Sequence, residues 1–509
     1  MGITLGLDVG TSGTKAVAVD ASGAVLASAL VEYPLSSPKP NWAEQDPADW
    51  KRAAVAALSQ LAASPAVRCG DIKALGLTGQ MHGSVFLDKD NAVLRPAILW
   101  CDQRTVEQCD HITSTVGEER LIEMVCNPAL TGFTAPKILW LRQHEPSVYE
   151  KVKTVLLPKD YIRFVLTGEF ATDVADASGT LLFDVKNRTW HDELMGLLGI
   201  PRSFMPRAFE GTEVTGALTR EMAEATGLPA GLPVVAGGGD QAAGGVGCGI
   251  VRSGAISAAL GTSGVVFAFA NEVSRDPKGR VHTFCHSVPG KWHVMGVMLS
   301  AGGSLRWFRD ALCRPEKAVA SETGADPYEY ITAMAEMAPP GSEGLTFLPY
   351  LTGERTPHKD PFAKGAFIGL SLRHTKAHMA RAVLEGVAFG MRDSLEIVRE
   401  MGVPIAQVRA SGGGAKSAFW RQMQADINHA PLVTLNADQG PAFGAALLAT
   451  VCAGTYGTVE EACDATIRVV DTCAPDAGRS AIYDRWFKIY QGAYRALAPG
   501  FQDAARLLG

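Results

Sequence analysis

Leu5-Gly6-Leu7-Asp8-Val9-Gly10-Thr11-Ser12-Gly13-Thr14-Lys15 lies at the start of the chain, and Ala259-Leu260-Gly261-Thr262-Ser263-Gly264-Val265-Val266 repeats its centre half a chain later. Each copy has an apolar run before Gly-Thr-Ser-Gly and an alternating apolar run after it, which reads as strand, tight turn, strand. A four-residue identity is weak evidence by itself. Its position at the head of two half-chains makes internal duplication the reading that decides the fold. A second pair agrees in kind: IKALGLTGQ (72–80) and VRASGGGAK (408–416) are both short strands running into glycine. The expected architecture is α/β, with two similar domains flanking a cleft where glycine hairpins would meet a ligand.

Outward from the first hairpin, AVLASALVEY (24–33) adds a third strand, and Asp46-Pro47 marks the start of a helix, with aspartate as cap and proline in the first turn. Ile72 to Thr78 returns as a strand and empties into Gly79-Gln80-Met81-His82-Gly83. Residues 134–170 read as helical with a break at Pro158. Pro233 to Ala236 is a short strand ending in Gly237-Gly238-Gly239-Asp240-Gln241. Lys376 to Met401 forms a long helix whose Gly386 and Gly390 require close packing against a neighbour, with His374 and His378 on its polar side. The expected division is a first domain at 1–245, a second at 246–485 and a tail at 486–509.

With 509 residues the chain exceeds the roughly 250–300 at which one hydrophobic core stops growing, so two domains are also what length requires. Apolar residues make up 47% and charged residues 20%, a balance that excludes disorder as the main character. The net charge of -6 comes without long single-sign blocks, which argues against a nucleic-acid partner. Ten scattered cysteines without a CxxC pair read as reduced thiols. No signal sequence or membrane-length apolar run is seen, so a cytoplasmic protein without a membrane partner is expected.

The chemistry lies in the turns. Gly-Thr-Ser-Gly offers backbone N–H groups and hydroxyls to anionic oxygens, as a phosphate cradle does, although neither copy is a Walker A loop. Asp8, ending a buried strand before such a turn, suits Mg²⁺ held through water between carboxylate and phosphate. Asp240, at the end of three glycines, suits a base for a sugar hydroxyl whose proton moves late. Two carboxylates also fit a glycosidase pair, but neither sits in an aromatic sugar-binding context and both phosphate turns would go unused. Gln80, Met81 and His82 lie between glycines, in a loop able to bond and pack on a small polar substrate.

With these residues assembled, the sequence resembles the FGGY carbohydrate kinases over nearly its whole length. The motifs are LGLDVGTSGTK, GFTAPKILWL (132–141), GAFIGLSLRHTKAHMARAVLEG (365–386) and SGGGAKSAFWRQMQADI (411–427). The resemblance implies two actin-like, ribonuclease-H-type domains, with sugar mainly on the first and ATP mainly on the second. It implies Asp240 as proton acceptor, Asp8 acting through Mg²⁺, and Met81 and His82 on the sugar. Thr11, Ser12 and Thr14 would face the transferring phosphate, Gly261 and Thr262 the nucleotide phosphates, and Gly413, Gly414 and Ser417 the adenosine.

Trp100 and Asp102 of WCDQR, with Gln80, join the implied sugar set, and LLPKDY (156–161) and YLTGERTPH (350–358) support the same branch. That branch phosphorylates D-xylulose to D-xylulose 5-phosphate and releases ADP. Met81-His82 stands where the glycerol-using branch carries Arg-Glu. Gln241 departs from the asparagine common after the catalytic aspartate, so a related ketose or a pentitol stays open, as does an actin-like ATPase without sugar transfer. A homodimer is compatible with the resemblance.

Overall fold

The computed structural model describes residues 2–436 and 440–508, and these form two compact units. The first gathers residues 1–252, 269–293 and 439–468; the second gathers 253–268, 294–438 and 469–509. Two stretches beyond residue 245 therefore return to the first unit, and the helix Ala477–Leu508 runs through the expected tail as part of the second.

The first unit is built on β1 (Ile3–Val9), β2 (Gly13–Asp20), β3 (Val25–Glu32), β4 (Ile72–Gly79), β5 (Val214–Ala217) and β6 (Pro233–Gly239), in the order β5-β6-β4-β1-β2-β3. The pairs β6/β4 and β4/β1 are parallel, whereas β5/β6, β1/β2 and β2/β3 are antiparallel. Strands 1 and 4 are apolar along nearly their whole length because helices cover both faces of a parallel pair.

Glycine sets how closely one of those helices lies. A Cβ on Gly6 would stand 1.9 Å from the Ala442 carbonyl oxygen, and one on Gly76 1.9 Å from that of Ala445. Helix Pro441–Cys452, rich in small residues, thus rests backbone to backbone on the first sheet, which is why this late stretch belongs to the first unit.

In the second unit, β7 (Gly254–Leu260), β8 (Gly264–Ala270), β9 (Trp292–Met298), β10 (Ile405–Ser411), β11 (Leu432–Leu435) and β12 (Val469–Cys473) lie in the order β12-β11-β10-β7-β8-β9. Here β11/β10 and β10/β7 are parallel, and β12/β11 and β7/β8 are antiparallel. Across β11-β10-β7-β8 the order and sense match β6-β4-β1-β2 of the first sheet. The sheets differ at their edges: the antiparallel edge strand precedes its neighbour in the chain in one unit and follows it in the other, and the second sheet has seven strands against six.

Local signals placed most elements. Asp46 caps the helix Pro47–Ala62 through Ala48 N, with proline in the first turn. Gly386 in helix Lys376–Glu400 has the predicted close neighbour, since a Cβ there would fall 2.2 Å from the Phe347 carbonyl oxygen. Two readings change. Residues 134–170 are not one broken helix: a strand, Thr154–Leu156, separates helices, and Pro158 begins one instead of interrupting it. His378 closes a capping box with Thr375 at the head of the long helix, and His374 accepts from Ser371 N before that helix begins.

Candidate functional site

In the first unit the three neighbouring parallel strands β6, β4 and β1 end together, and their ends carry the candidate chemistry. Asp8 pairs in register with Thr78, which also pairs with Gly238. Gln80, Met81 and His82 follow β4, and Asp240 follows β6 as the first residue of helix Asp240–Gly247. Sheet topology thus gathers residues far apart in the chain.

Burial dominates the electrostatics. It pushes the Asp8 carboxyl up to about 7, the charge of Asp240 pushes in the same direction, and Lys15, its partner across β2, pulls it back. Burial pushes Asp240 up to about 6, and hydrogen bonds from the backbone and side chain of Gln241 restrain it. Asp8 Oδ1 is enclosed with no hydrogen-bond partner. A buried carboxylate oxygen without a donor suits a cation, so Mg²⁺ fits the residues present at Asp8.

A separate acidic group, Asp160, Asp173 and Asp176, also has the spacing of a metal cage. Lys159 Nζ already fills it, 2.5, 2.6 and 3.2 Å from the three carboxylates, so it is an ion-pair cluster. Arg163 joins it and donates to the carbonyls of Val235 and Ala236 on β6.

The sugar-loop residues are held from several sides. His82 has φ +67°, and its carbonyl accepts from Lys137 Nζ at 2.9 Å and Thr134 Oγ1 at 3.0 Å. Its Nδ1 lies 2.7 Å from the Gly179 carbonyl; a carbonyl only accepts, so Nδ1 carries a proton, and in the neutral ring Nε2 is then the acceptor. Phe133 packs edge-on to the ring. Met81 is buried, and a Cβ on Gly239 would fall 2.7 Å from its Cγ.

The phosphate turn is equally tied down. Trp100, which remains exposed, donates through Nε1 to Thr11 Oγ1 at 3.0 Å, and Thr11 Oγ1 donates to Gln80 Oε1. Thr14 is fully buried with its hydroxyl on Tyr33, whose own hydroxyl donates to the Gly10 carbonyl, whereas Ser12 is exposed. Asp102 is buried and committed within the chain: it accepts from Ala43 N and from the backbone and guanidinium of Arg104.

In the second unit, Gly261, Thr262, Gly413, Gly414 and Ser417 line one cavity of about 670 Å³. Gly261 and Thr262 form the β7–β8 turn, and their carbonyls accept from Gly302 N and Gly303 N at the start of helix Gly302–Leu312. Arg306, one turn along, donates to Thr262 Oγ1 at 2.9 Å and lines the same cavity. Ser417 caps helix Ala418–Asn428, its hydroxyl accepting from Trp420 N.

Sequence reasoning did not find Gln45, Tyr33, Lys137 or Arg306. Lys137 lies inside the GFTAPKILWL segment, a motif whose resemblance implies no role for its lysine.

A nucleotide-sized cavity beside a glycine turn, and raised carboxylates at the ends of parallel strands in the other unit, are the equipment of a phosphotransferase acting on an alcohol. Residues 3–247 match the N-terminal domain and residues 256–453 the C-terminal domain of the FGGY family of carbohydrate kinases. The chain belongs to that family and is a carbohydrate kinase, an ATP-binding transferase of carbohydrate metabolism. It is 42% identical over 496 residues to the xylulose kinase of Escherichia coli (strain K12), covering 97% of this chain and 99% of that one. Among solved structures it is similar to the xylulose kinase from Rhodospirillum rubrum, with TM-score 0.91, 34% identity and coverage of 98% and 100%. It is also similar to a gluconate kinase from Lactobacillus acidophilus, with TM-score 0.91, 28% identity and coverage of 98% and 99%. Among the described residues no helix is long and apolar enough to cross a membrane.

Proposed function

We propose that the chain transfers the γ-phosphoryl group of ATP to D-xylulose, forming D-xylulose 5-phosphate and ADP. The sugar O5–P bond forms as the bond from Pγ to the β–γ bridging oxygen breaks, and the hydroxyl proton passes to an Asp240 oxygen. Asp240 is suited to this because burial gives it a higher proton affinity than an exposed aspartate while leaving it ionised near neutral pH. His82 Nε2 accepts from a sugar hydroxyl, and Met81 packs on the carbon skeleton. Gln241, beside the base, bonds another hydroxyl.

Asp8 would hold Mg²⁺ through water; the ion supplies charge neutralisation at the phosphate oxygens. Thr11 and Ser12 face the transferring phosphate; Gly261 and Thr262 hold the nucleotide phosphates, and Gly413 and Gly414 border the adenosine. Of the other expected contacts, Trp100 reaches sugar or phosphate from the rim. Thr14, Ser417 and Asp102 act by holding the turn, the helix start and the neighbouring loop. The matching strand orders support duplication of an actin-like unit.

The observation that carries this reading is the pair Asp8 and Asp240, both raised, at the ends of parallel strands around the Gln80–His82 loop. The similar gluconate kinase favours a second reading in which the acceptor is a sugar acid. ADP release measured across D-xylulose, D-ribulose, pentitols and D-gluconate tests both. D-Xylulose should give the highest kcat/KM, preference for another acceptor reassigns the substrate, and sugar-independent turnover leaves an ATPase.

A further inference from the structure

Gln45 lies outside every motif tied to sugar or nucleotide, yet its amide is fully engaged at the phosphate turn. It is buried, in the short strand Glu44–Gln45 that pairs with Ala97–Ile98, immediately before the helix capped by Asp46. Nε2 donates to the Thr11 carbonyl at 2.6 Å and to the Pro34 carbonyl at 3.3 Å. Oε1 accepts from Trp50 Nε1 and from Gln80 Nε2, each at 3.0 Å. Two donors and two lone pairs are all used. Trp50 can only donate, so the amide cannot be turned over: the oxygen must face Trp50 and the nitrogen must face Thr11.

Gln80 closes the circuit. Its Nε2 also donates to the Gly10 carbonyl at 3.2 Å, and its Oε1 accepts from the Thr11 hydroxyl at 3.3 Å. Thr11 is thus held by its carbonyl through Gln45 and by its hydroxyl through Gln80, while Gln80 itself is held by Gln45. The turn after β1 and the loop after β4 cannot shift independently without breaking a buried hydrogen bond.

We propose that Gln45 is a positioning residue that locks the phosphate turn at Gly10–Thr11 to the sugar loop at Gln80–His82, so that phosphoryl group and acceptor hydroxyl are presented in one fixed relation. The inference rests on the proposed function, in which that turn meets phosphate and that loop meets sugar. Gln45 touches neither. Its loss should therefore appear in turnover and in fidelity of transfer more than in affinity, because a misplacement of about 1 Å between reacting groups can cost on the order of a hundredfold in rate.

The test uses the full chain with Q45E, Q45N and W50F. Q45E keeps the acceptor for Trp50 and Gln80 but turns a second oxygen toward the Thr11 carbonyl; Q45N keeps the amide and withdraws it by one carbon. W50F removes one hydrogen bond behind Gln45 and leaves its bonds to Thr11 and Gln80. ADP and sugar phosphate are quantified separately, with melting temperature measured alongside.

The expected result is kcat lowered about tenfold to a hundredfold in Q45E and Q45N, with both KM values within about threefold of wild type. ADP should also be formed in excess of sugar phosphate. W50F should lose thermal stability yet keep wild-type kcat and a one-to-one ratio of products. Wild-type kcat and product ratio in both Gln45 variants would overturn the inference, and so would a W50F that uncouples as strongly as they do. A wild-type enzyme without sugar-stimulated ADP release would instead remove the functional reading beneath it.

Discussion

His82 and Gly179 fix each other's place: the imidazole Nδ1 lies 2.7 Å from the Gly179 carbonyl, and a Cβ on residue 179 would stand 2.4 Å from that same nitrogen. Gly179 has φ -79° and ψ 4°, a conformation alanine adopts freely. G179A therefore introduces a steric conflict directed at the sugar loop, chiefly at His82 with Met81 Cε 3.2 Å away, without backbone strain. The sugar KM should rise about tenfold, the scale of one lost hydrogen bond to a substrate, while the ATP KM stays within about twofold. Saturation curves with each substrate varied in turn check this. An effect confined to ATP would remove His82 from sugar recognition.

Asp240 supplies a pH signature. The acceptor must be a carboxylate, and burial raises it to about 6, so kcat/KM for the sugar should rise with pH through that value and fall away below it. Asp8, raised to about 7, adds a second ionisation on the same limb, and saturating Mg²⁺ should move that one to lower pH. A Mg²⁺ titration of the pH profile separates them.

The same shifts set the sign of a stability effect. A carboxyl whose folded pKa exceeds its unfolded value costs stability that grows as pH rises from the unfolded range through the folded value. D8N and D240N should thus melt at or above the wild-type temperature near pH 8, and the difference should close near pH 4. Their melting curves separate a lost activity from a lost fold.

Close packing in the first unit gives a paired test. G76A drives a Cβ into the Ala445 carbonyl and should cost about 1–3 kcal/mol in urea unfolding. G70A, with nothing near the added Cβ, should stay within about 0.5 kcal/mol of wild type.

What the sequence disclosed follows from how local each signal is. Both Gly-Thr-Ser-Gly hairpins, the capped helix at Asp46 and the glycine-ended strands at Gly79 and Gly239 are set by neighbouring residues and were legible. Gln45, Tyr33 and Lys137 were not, because their partners Gln80, Gly10 and His82 lie far away in the chain and only the folded sheet brings them together. The same reason hid the return of residues 439–468 to the first unit, which depends on Gly6 and Gly76 admitting a helix backbone. Asp102 looked like a substrate ligand as part of WCDQR, and only the structure reveals that Ala43 and Arg104 occupy its oxygens.

The central claim is sugar phosphorylation with Asp240 as proton acceptor. It is tested most directly by measuring ADP and D-xylulose 5-phosphate formed by wild type and D240N at saturating Mg-ATP and D-xylulose. The account predicts equal amounts of the two products from wild type, and from D240N a rate lower by roughly 10² to 10⁴ with the fold intact. A folded D240N that forms D-xylulose 5-phosphate at the wild-type rate would contradict it.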